Sequence, residues 1–180
     1  MNRNALSLVA DEYELDAEQH RQYLTFKLGD ESYALGLLSV KEILEYTGVT
    51  QVPMMPSFVR GVINLRGRVV PVIDLAARLH GERAHVTRRT CVVIVEVATG
   101  NDAQDMGLIV DAVSQVVDIP PEAVEPGPSF GSRMRADFIA GMGKQEAGFV
   151  IMLAIDRVLS DDDMEAVNDM QTATNAEASA

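Results

Sequence analysis

The stretch from Phe58 to Leu75, which reads FVRGVINLRGRVVPVIDL, is the part of this chain that decides its fold. It consists of two runs rich in β-branched residues on either side of Arg66 and Gly67. Such runs favour strands over helix, and Gly67 supplies the positive φ that a tight turn between two strands demands. The stretch predicts a β-hairpin whose tip exposes arginines, which are suited to pairing with carboxylates. The alternative is a hairpin whose arginines are merely solvated.

The beginning of this stretch recurs in the second half of the chain. Phe58–Gly61 reads FVRG and Phe138–Gly141 reads FIAG. Each is followed by a β-rich run that ends in aspartate, at Asp74 and at Asp156. Echoes in a fixed order indicate two copies of one structural unit.

A second pair of segments supports the repeat, because 40–44 (VKEIL) resembles 113–117 (VSQVV). The spacing of this pair is seven positions shorter than that of the first pair, and the proline-rich loop 120–137 accommodates that difference. A unit of about 70 residues buries too little surface to be stable alone, so the two units are expected to share an apolar seam. The chain is therefore predicted to form two small packed β-barrels with a binding groove between them.

Other local patterns predict the remaining elements. Residues 24–37 predict an opening hairpin, because apolar and polar residues alternate before a Gly-Asp-Glu turn. Cys91–Val97 is a β-branched run that predicts a buried strand. Ser39–Glu42 has the form of a capping box and predicts one helical turn. The aspartates at 161–163 favour a helix N-terminus and predict a short closing helix from about residue 161 to 171.

The charge of the chain is concentrated at its ends. The formal net charge is −12, of which residues 1–20 carry −4 and residues 156–180 carry −6. We expect a flexible acidic leader over 1–21, a folded region over 22–171 and a disordered tail over 172–180. Acidic ends discourage binding to nucleic acid and anionic lipid, and no apolar stretch reaches the roughly 20 residues of a spanning helix. The single cysteine fits a reducing, cytoplasmic compartment.

Residues 60–89 hold seven arginines and predict a mildly basic face. A rival interpretation is a small β-barrel that binds single-stranded nucleic acid, which needs aromatic residues interleaved with the charges. This segment holds no Phe, Tyr or Trp. We therefore interpret the face as one that meets an acidic protein, and we expect no nucleic acid partner.

One enzymatic motif occurs in the chain, because Gly127–Gly131 reads G-x-S-x-G around Ser129. The nucleophile elbow needs a buried strand before the serine, but the preceding segment is rich in proline, which a central strand does not tolerate. A hydrolase of this type also needs a histidine after the serine, and all three histidines precede Ser129. We expect no catalytic activity, no cofactor and no metal site.

The Phe58–Leu75 stretch resembles the CheW family, the coupling proteins of bacterial chemotaxis. The pattern F-x-x-G-x-x-N-L-R-G-x-x-x-P-V-I-D-L is intact in it. Three further segments resemble family motifs in the same order, namely 26–33, 40–43 and 107–116. The resemblance runs from about residue 22 to 170, and a chain of 180 residues has no room for an attached kinase or receiver domain.

The resemblance implies a mainly β fold of two packed five-stranded SH3-like β-barrels, with short helices and a C-terminal helix. It also implies a non-catalytic adaptor that couples the cytoplasmic tips of methyl-accepting chemoreceptors to the CheA histidine kinase. The kinase partner is its regulatory domain. The protein is expected to be cytoplasmic and recruited to membrane-attached receptor arrays without inserting into the membrane.

The resemblance implies two sets of binding residues, carried over by position. The receptor-facing candidates are Val40, Ile43, Gly61, Arg66, Val113 and Val116. The kinase-facing candidates are Leu37, Glu42, Val52, Met54 and Val69. Glu42 and Arg66 correspond to a family pair expected to approach each other, while Glu42 could also cap a turn with Ser39. The chain departs from the family at Met54 and Met55, where two flexible thioethers indicate either an adaptable surface or core filling.

Overall fold

The computed structural model describes residues 21–99, 101–127, 136–159, 163, 165–167 and 169. Three of the sequence predictions lie outside these residues, namely the acidic leader up to residue 20, the role of Ser129 and the tail 172–180. Within the described part of the chain, no helix is long and apolar enough to cross a membrane. The described residues also contain no group of three His, Cys, Asp or Glu side chains placed to hold a metal ion.

The fold is mainly β, as predicted. The strands are β1 (Gln22–Leu28), β2 (Glu31–Gly36), β3 (Val40–Glu45), β4 (Val59–Leu65), β5 (Arg68–Asp74), β6 (Cys91–Thr99), β7 (Asp102–Val110), β8 (Ala112–Asp118), β9 (Val124–Glu125), β10 (Ile139–Gln145) and β11 (Gly148–Leu153). Two short α-helices follow strands, α1 (Leu75–His80) after β5 and α2 (Ile155–Val158) after β11. Single 3₁₀ turns occupy Leu37–Ser39, Pro121–Ala123 and Ala136–Phe138.

The strands form two sheets rather than one. The five-stranded sheet has the order β3-β6-β7-β5-β4, and the six-stranded sheet has the order β8-β1-β2-β11-β10-β9. Neighbouring strands are antiparallel except for β5 with β7 and β2 with β11, which are parallel. Without the two-residue strand β9, the two sheets have the same number of strands and the same pattern of hairpins. The two predicted β units are therefore present in the fold.

The two units exchange hairpins, which the sequence did not indicate. The hairpin β1–β2 from the first unit pairs with β8 and β11 of the second, and the hairpin β6–β7 from the second unit pairs with β3 and β5 of the first. The five-stranded sheet therefore comes from the continuous segment 40–110, while the six-stranded sheet combines the start and end of the described chain. Because each sheet needs both units, neither unit can complete its sheet alone.

The repeat is visible in the backbone at two equivalent glycines, one in each unit. The β4–β5 hairpin shifts register between Val59 and Gly61, and the β10–β11 hairpin shifts register between Ile139 and Gly141. An amide at the end of each second hairpin strand donates to the phenylalanine carbonyl, since Asp74 N lies 2.7 Å from Phe58 O and Ala154 N lies 2.8 Å from Phe138 O. Ala154 is therefore the structural equivalent of Asp74, and the aspartate echo at residue 156 lies two positions further along.

One large apolar cluster lies between the sheets. It combines Leu24, Phe26 and Tyr33 of the six-stranded sheet with Val93, Val95 and Leu108 of the five-stranded sheet, all at most 2% exposed. Each such side chain contributes about 1.5–3 kcal/mol on burial. A smaller cluster lies within each sheet. We call the large cluster between the sheets the shared cluster. It is the apolar seam that was expected because each unit is too small to be stable alone.

The predicted helical turn at Ser39–Glu42 is wrong. A 3₁₀ turn ends at Ser39, and Val40–Glu45 is strand β3, which pairs along its length with β6. Strand pairing and burial of alternate side chains outweigh one capping box, whose hydrogen bonds are worth about 1 kcal/mol. Helix α1 was not predicted, and it begins where the carboxylate of Asp74 accepts a hydrogen bond from Ala77 N at 3.1 Å.

The closing helix predicted over 161–171 is helical at each residue that the structure describes there. These residues are 163, 165–167 and 169. Met164, Val167 and Met170 recur at a spacing of three in the sequence and predict the apolar stripe of this helix. Val167 is fully buried in the shared cluster. Met164 and Met170, the other members of that stripe, lie outside the described residues.

Candidate partner-binding surface

The β4–β5 turn presents Arg66 on a defined backbone. Arg66 and Gly67 have φ values of 52° and 82°, which is the left-handed pair that a tight hairpin turn uses. The side-chain oxygen of Asn64 accepts a hydrogen bond from Gly67 N at 2.8 Å and fixes the turn. The Arg66 side chain is 75% exposed, so the predicted exposed arginine at the hairpin tip is confirmed.

Arg66 contacts Glu42, as the family pair predicted. The guanidinium donates two hydrogen bonds to the carboxylate, from Nη1 to Oε2 at 3.0 Å and from Nη2 to Oε1 at 2.9 Å. Glu42 lies on β3 and Arg66 at the end of β4, which are the two outermost strands of the five-stranded sheet. The ion pair therefore joins the ends of a curled sheet. Since it is largely exposed, it contributes at most about 1 kcal/mol and mainly fixes geometry.

A second set of charges beside this pair was missed by sequence reasoning. Asp105 on β7 binds Lys41 at 2.8 Å and Arg68 at 3.5 Å, and Lys41 also lies 3.3 Å from Glu96. The hydrogen bond that Lys41 donates to Asp105, followed by the one that it donates to Glu96, raises the pKa of Lys41 above its ordinary value. Lys41, Arg68 and Asp105 line a surface cavity of about 310 Å³. Because these three residues and Glu96 come from four different strands, no local spacing in the sequence indicates that they meet.

Two β-bulges decide which way the predicted receptor-facing side chains point. In β3, Val40 is opposite Val95 and Ile43 is opposite Val93, because Lys41 is an extra residue in the register. Directly opposed residues of antiparallel strands share a face, and Val93 and Val95 belong to the shared cluster. Val40 and Ile43 therefore lie on the face toward the seam, although a spacing of three would separate them in a regular strand.

Strand β8 has the equivalent bulge at Ser114, within the segment 113–117 that repeats 40–44. Val113 is opposite Phe26 and Val116 is opposite Leu24, and both partners belong to the shared cluster. Val113 is half-buried and packs against that cluster, whereas Val116 is 48% exposed.

Strands β3 and β8 are the end strands of their sheets. Val40 packs against the shared cluster and Ile43 is 44% exposed. This is the same arrangement as that of Val113 and Val116 on β8. The structure thus brings these four residues to the margin of one seam.

Gly61 lies away from the exposed surface and has a backbone role. It is buried, its φ is 149°, and an added Cβ would lie 2.1 Å from the carbonyl oxygen of Thr50. The Thr50 backbone forms two hydrogen bonds with Val62, at 2.9 and 2.8 Å. Gly61 therefore allows the segment that connects β3 and β4 to lie directly on β4.

The predicted kinase-facing residues do not form one continuous exposed surface. Leu37, Val52 and Val69 are half-buried and pack against the shared cluster. Met54 is fully exposed, at a positive φ of 64°. Glu42 forms an ion pair with Arg66. The two predicted sets therefore assign the two members of one ion pair to different partners.

The two methionines of the β3–β4 connection differ in their surroundings. Met54 points into solvent, whereas Met55 is half-buried and packs against the shared cluster. Met55 therefore fills the core, whereas a role for the exposed Met54 in an adaptable surface stays a prediction.

Comparison with known proteins gives a consistent result. The family model of the CheW-like domain matches residues 22–163. A probable chemotaxis protein CheW of Rhizobium etli is 33% identical over 146 residues, which is 81% of this chain and 92% of that protein. The chemotaxis protein CheW of Klebsiella aerogenes is 31% identical over 150 residues, 83% of this chain and 88% of that protein. The crystal structure of the scaffolding protein CheW from Thermoanaerobacter tengcongensis matches with a TM-score of 0.71 at 30% identity, covering 79% of this chain and 90% of that chain.

Proposed function

Since this chain belongs to the CheW-like domain family and is a non-catalytic chemotaxis scaffold, we propose that it joins two specific partners. One is the cytoplasmic tip of methyl-accepting chemoreceptors, and the other is the regulatory domain of the CheA histidine kinase. The protein acts in the cytoplasm, at arrays attached to the membrane through the receptors.

The observation that carries the proposal is the pair of bulged end strands at the seam. Ile43 and Val116 are about half exposed, and each stands beside a valine that is anchored on the shared cluster. These four side chains form the apolar walls of the proposed groove, and such a groove suits the apolar face of a helix. The receptor-facing set is therefore Val40, Ile43, Val113 and Val116, with Arg66 at the rim.

The kinase-facing set is proposed on the other side of the Glu42–Arg66 pair. Met54 is its most exposed member, and a flexible thioether adapts to a partner surface at low cost. Leu37, Val52 and Val69 support this surface from the shared cluster. Because both sets rest on that cluster, a receptor state that changes one set alters the free energy of kinase binding at the other.

Calorimetric titration against a receptor-tip fragment and a CheA regulatory domain tests the proposal. We expect saturable binding to both. Ile43→Glu and Val116→Glu place a charge in the receptor groove, so each is expected to weaken receptor binding about tenfold or more. Met54→Glu is expected to weaken kinase binding instead.

Phe149→Glu is the matched control. Phe149 is 49% exposed on β11, so it resembles Ile43 and Val116 in exposure but lies outside both sets. It should leave both affinities unchanged. Binding to neither fragment, or equal losses from Phe149→Glu and Ile43→Glu, would contradict the proposal. Arg66→Glu provides a further check. If that variant kept both binding and control of the kinase, the Arg66–Glu42 pair would have no part in the proposed function.

A further inference from the structure

The arginines of residues 60–89 divide into two groups in the structure. Four bind carboxylates, in the pairs Arg60–Asp74, Arg66–Glu42, Arg68–Asp105 and Arg78–Asp163. The other three, Arg83, Arg88 and Arg89, are exposed on the connection from α1 to β6 and have no carboxylate partner among the described residues. The unneutralised positive charge of this segment is therefore concentrated on one loop.

The start of that loop is held by a buried ion pair. Asp74 is fully buried, and its carboxylate accepts a hydrogen bond from Ala84 N at 3.0 Å. Arg60 binds the same carboxylate at 2.9 Å and donates to Ala84 O at 2.8 Å. Both backbone groups of Ala84 are thus fixed, and the loop leaves the core in a set direction.

The end of the loop is a closed turn, Thr87–Thr90, which we call the basic turn. Thr90 N donates to Thr87 O at 3.3 Å, and the buried Thr90 hydroxyl accepts from Thr87 N at 2.8 Å. Thr90 O accepts from Tyr46 N at 3.1 Å, which attaches the turn to the end of β3. Arg88 and Arg89 occupy the two corners of the basic turn, so two positive charges are presented on an ordered backbone.

The surroundings of the basic turn select the chemistry of its partner. Val86 is 52% exposed immediately before the turn, and residues 81–90 contain no Phe, Tyr or Trp. Nucleic acid sites of this kind need bases to stack on aromatic rings, and membrane surfaces bind amphipathic helices with several apolar side chains. Two arginines beside one exposed valine instead match a protein surface with carboxylates next to an apolar side chain.

Arg83 does not belong to the same surface. It lines a cavity of about 390 Å³ together with Asp30, Glu31 and Asp111. Arg83 therefore lies in a cavity outside the basic turn, and the pair of arginines on that turn consists of Arg88 and Arg89.

We propose that the basic turn docks an acidic helix of a partner protein, which presents two carboxylates four residues apart and an apolar side chain beside them. Residues i and i+4 lie on one helix face about 5–6 Å apart, a spacing that two neighbouring arginines on a turn can span. The ordered backbone lowers the entropy lost on binding. None of the residues of the basic turn belongs to the receptor-facing or the kinase-facing set.

The test is a titration of the isotope-labelled full chain, followed by amide chemical shifts. The probe is a helical peptide of alanine and leucine that carries two glutamates four residues apart. The comparison peptide has glutamine at both positions. We expect shifts confined to residues 84–91 with the glutamate peptide and none with the glutamine peptide.

Variants assign the effect to the basic turn. Arg88→Glu with Arg89→Glu removes two attractive charges and adds two repulsive ones, so the peptide Kd should rise about tenfold or more. The control is Lys27→Glu with Arg157→Glu, which changes the net charge equally at two exposed positions elsewhere and should leave the Kd unchanged. An unchanged urea midpoint establishes that the turn variant is folded.

Four results would overturn the proposal. The first three are shifts outside residues 84–91, equal losses in the two double variants, and stronger binding of a single-stranded oligonucleotide or of anionic vesicles at the same turn. Absence of shifts with the glutamate peptide at millimolar concentration would overturn it as well.

Discussion

Replacing Arg78 with alanine removes a cation from the junction of the two units. The Arg78 guanidinium lies 4.9 Å from the ring centroid of Phe58 and 5.1 Å from that of Phe138, which are equivalent positions in the repeat. Its Nε donates to the carbonyl of Val158 at 2.7 Å, and Nη2 lies 3.0 Å from the carboxylate of Asp163. One side chain on α1 thus contacts both units and the C-terminal segment.

The expected loss follows from these contacts. A hydrogen bond from a charged donor contributes about 1.5–3 kcal/mol, and each cation–π contact about 0.5–1 kcal/mol or more when desolvated. The Arg78 side chain is 17% exposed and that of Asp163 20%, so solvent screens these interactions little. Contributions from one side chain are not additive, and we expect Arg78→Ala to lower the free energy of unfolding by about 3 kcal/mol.

Urea denaturation followed by circular dichroism and by fluorescence measures this change. For a chain of this size, about 3 kcal/mol corresponds to a fall in Tm of about 6–12 °C. Arg78→Lys keeps the charge but loses the planar fork, so it should be intermediate. Arg83→Ala is the control, because Arg83 is exposed and has no carboxylate partner among the described residues, and it should cost less than about 0.5 kcal/mol. A loss below about 1 kcal/mol for Arg78→Ala would refute the assignment of Arg78 as a junction residue.

Three further changes test other parts of the fold. Gly61→Ala places a Cβ 2.1 Å from a backbone oxygen and should cost about 2–4 kcal/mol in urea denaturation, whereas Gly67→Ala, with open space around it, should cost about 1–2 kcal/mol. Asp74→Asn leaves a largely buried guanidinium without its counter-charge and should lower the free energy of unfolding by about 3 kcal/mol. Burial, and then Glu31, raise the pKa of Tyr33 from 10.0 to about 12. Its proton therefore stabilises the folded state fully below pH 10, and this stability is lost as pH rises from about 10 to 12. Tyr33→Phe should flatten that decline in urea midpoints, and an unchanged slope would contradict the buried phenol.

The parts of the fold that sequence predicted are those fixed by neighbouring residues. The β4–β5 turn was predicted because Gly67 supplies a positive φ directly after Arg66, and the opening hairpin because its apolar residues alternate. The repeat was found because the glycines at 61 and 141 each lie against a passing segment, the Thr50 backbone in one unit and the Val124 side chain with the Glu125 carbonyl in the other. Such close contacts leave little room for a side chain at either position. Glycine therefore recurs at both positions, and this makes the repeat recognisable in the sequence.

The failures have a different physical origin. Ser39–Glu42 has the pattern of a helix start, but pairing of β3 with β6 overrides it, and that strand begins only at Cys91. Asp74 reads as the end of a strand, although its carboxylate also begins α1 and holds Ala84. The charges around Asp105 meet only after β3, β5, β6 and β7 have assembled. No window along the chain contains these contacts.

The candidate site has features that the sequence predicted and features that arise only when distant strands pair. Its residues were named from family motifs, but a spacing of three in a regular strand would have placed Val40 and Ile43 on opposite faces. The extra residue at Lys41 restores them to one face, and the extra residue at Ser114 does the same for Val113 and Val116. The resemblance between these two segments is visible in the sequence, but nothing in it indicates that each contains a bulge.

Hairpin exchange explains why the two proposed binding sets rest on one cluster. If each unit closed its own sheet, β3 would end a sheet made from the first half of the chain and would share little with β8. Because β6–β7 pairs with β3 and β1–β2 pairs with β8, the residues opposite both end strands belong to one cluster. Displacing Val40 or Val113 therefore disturbs the packing that also supports Val52 and Val69. Packed cores resist continuous deformation, so the proposed function predicts that a change at the receptor-facing set reaches the kinase-facing set through this cluster.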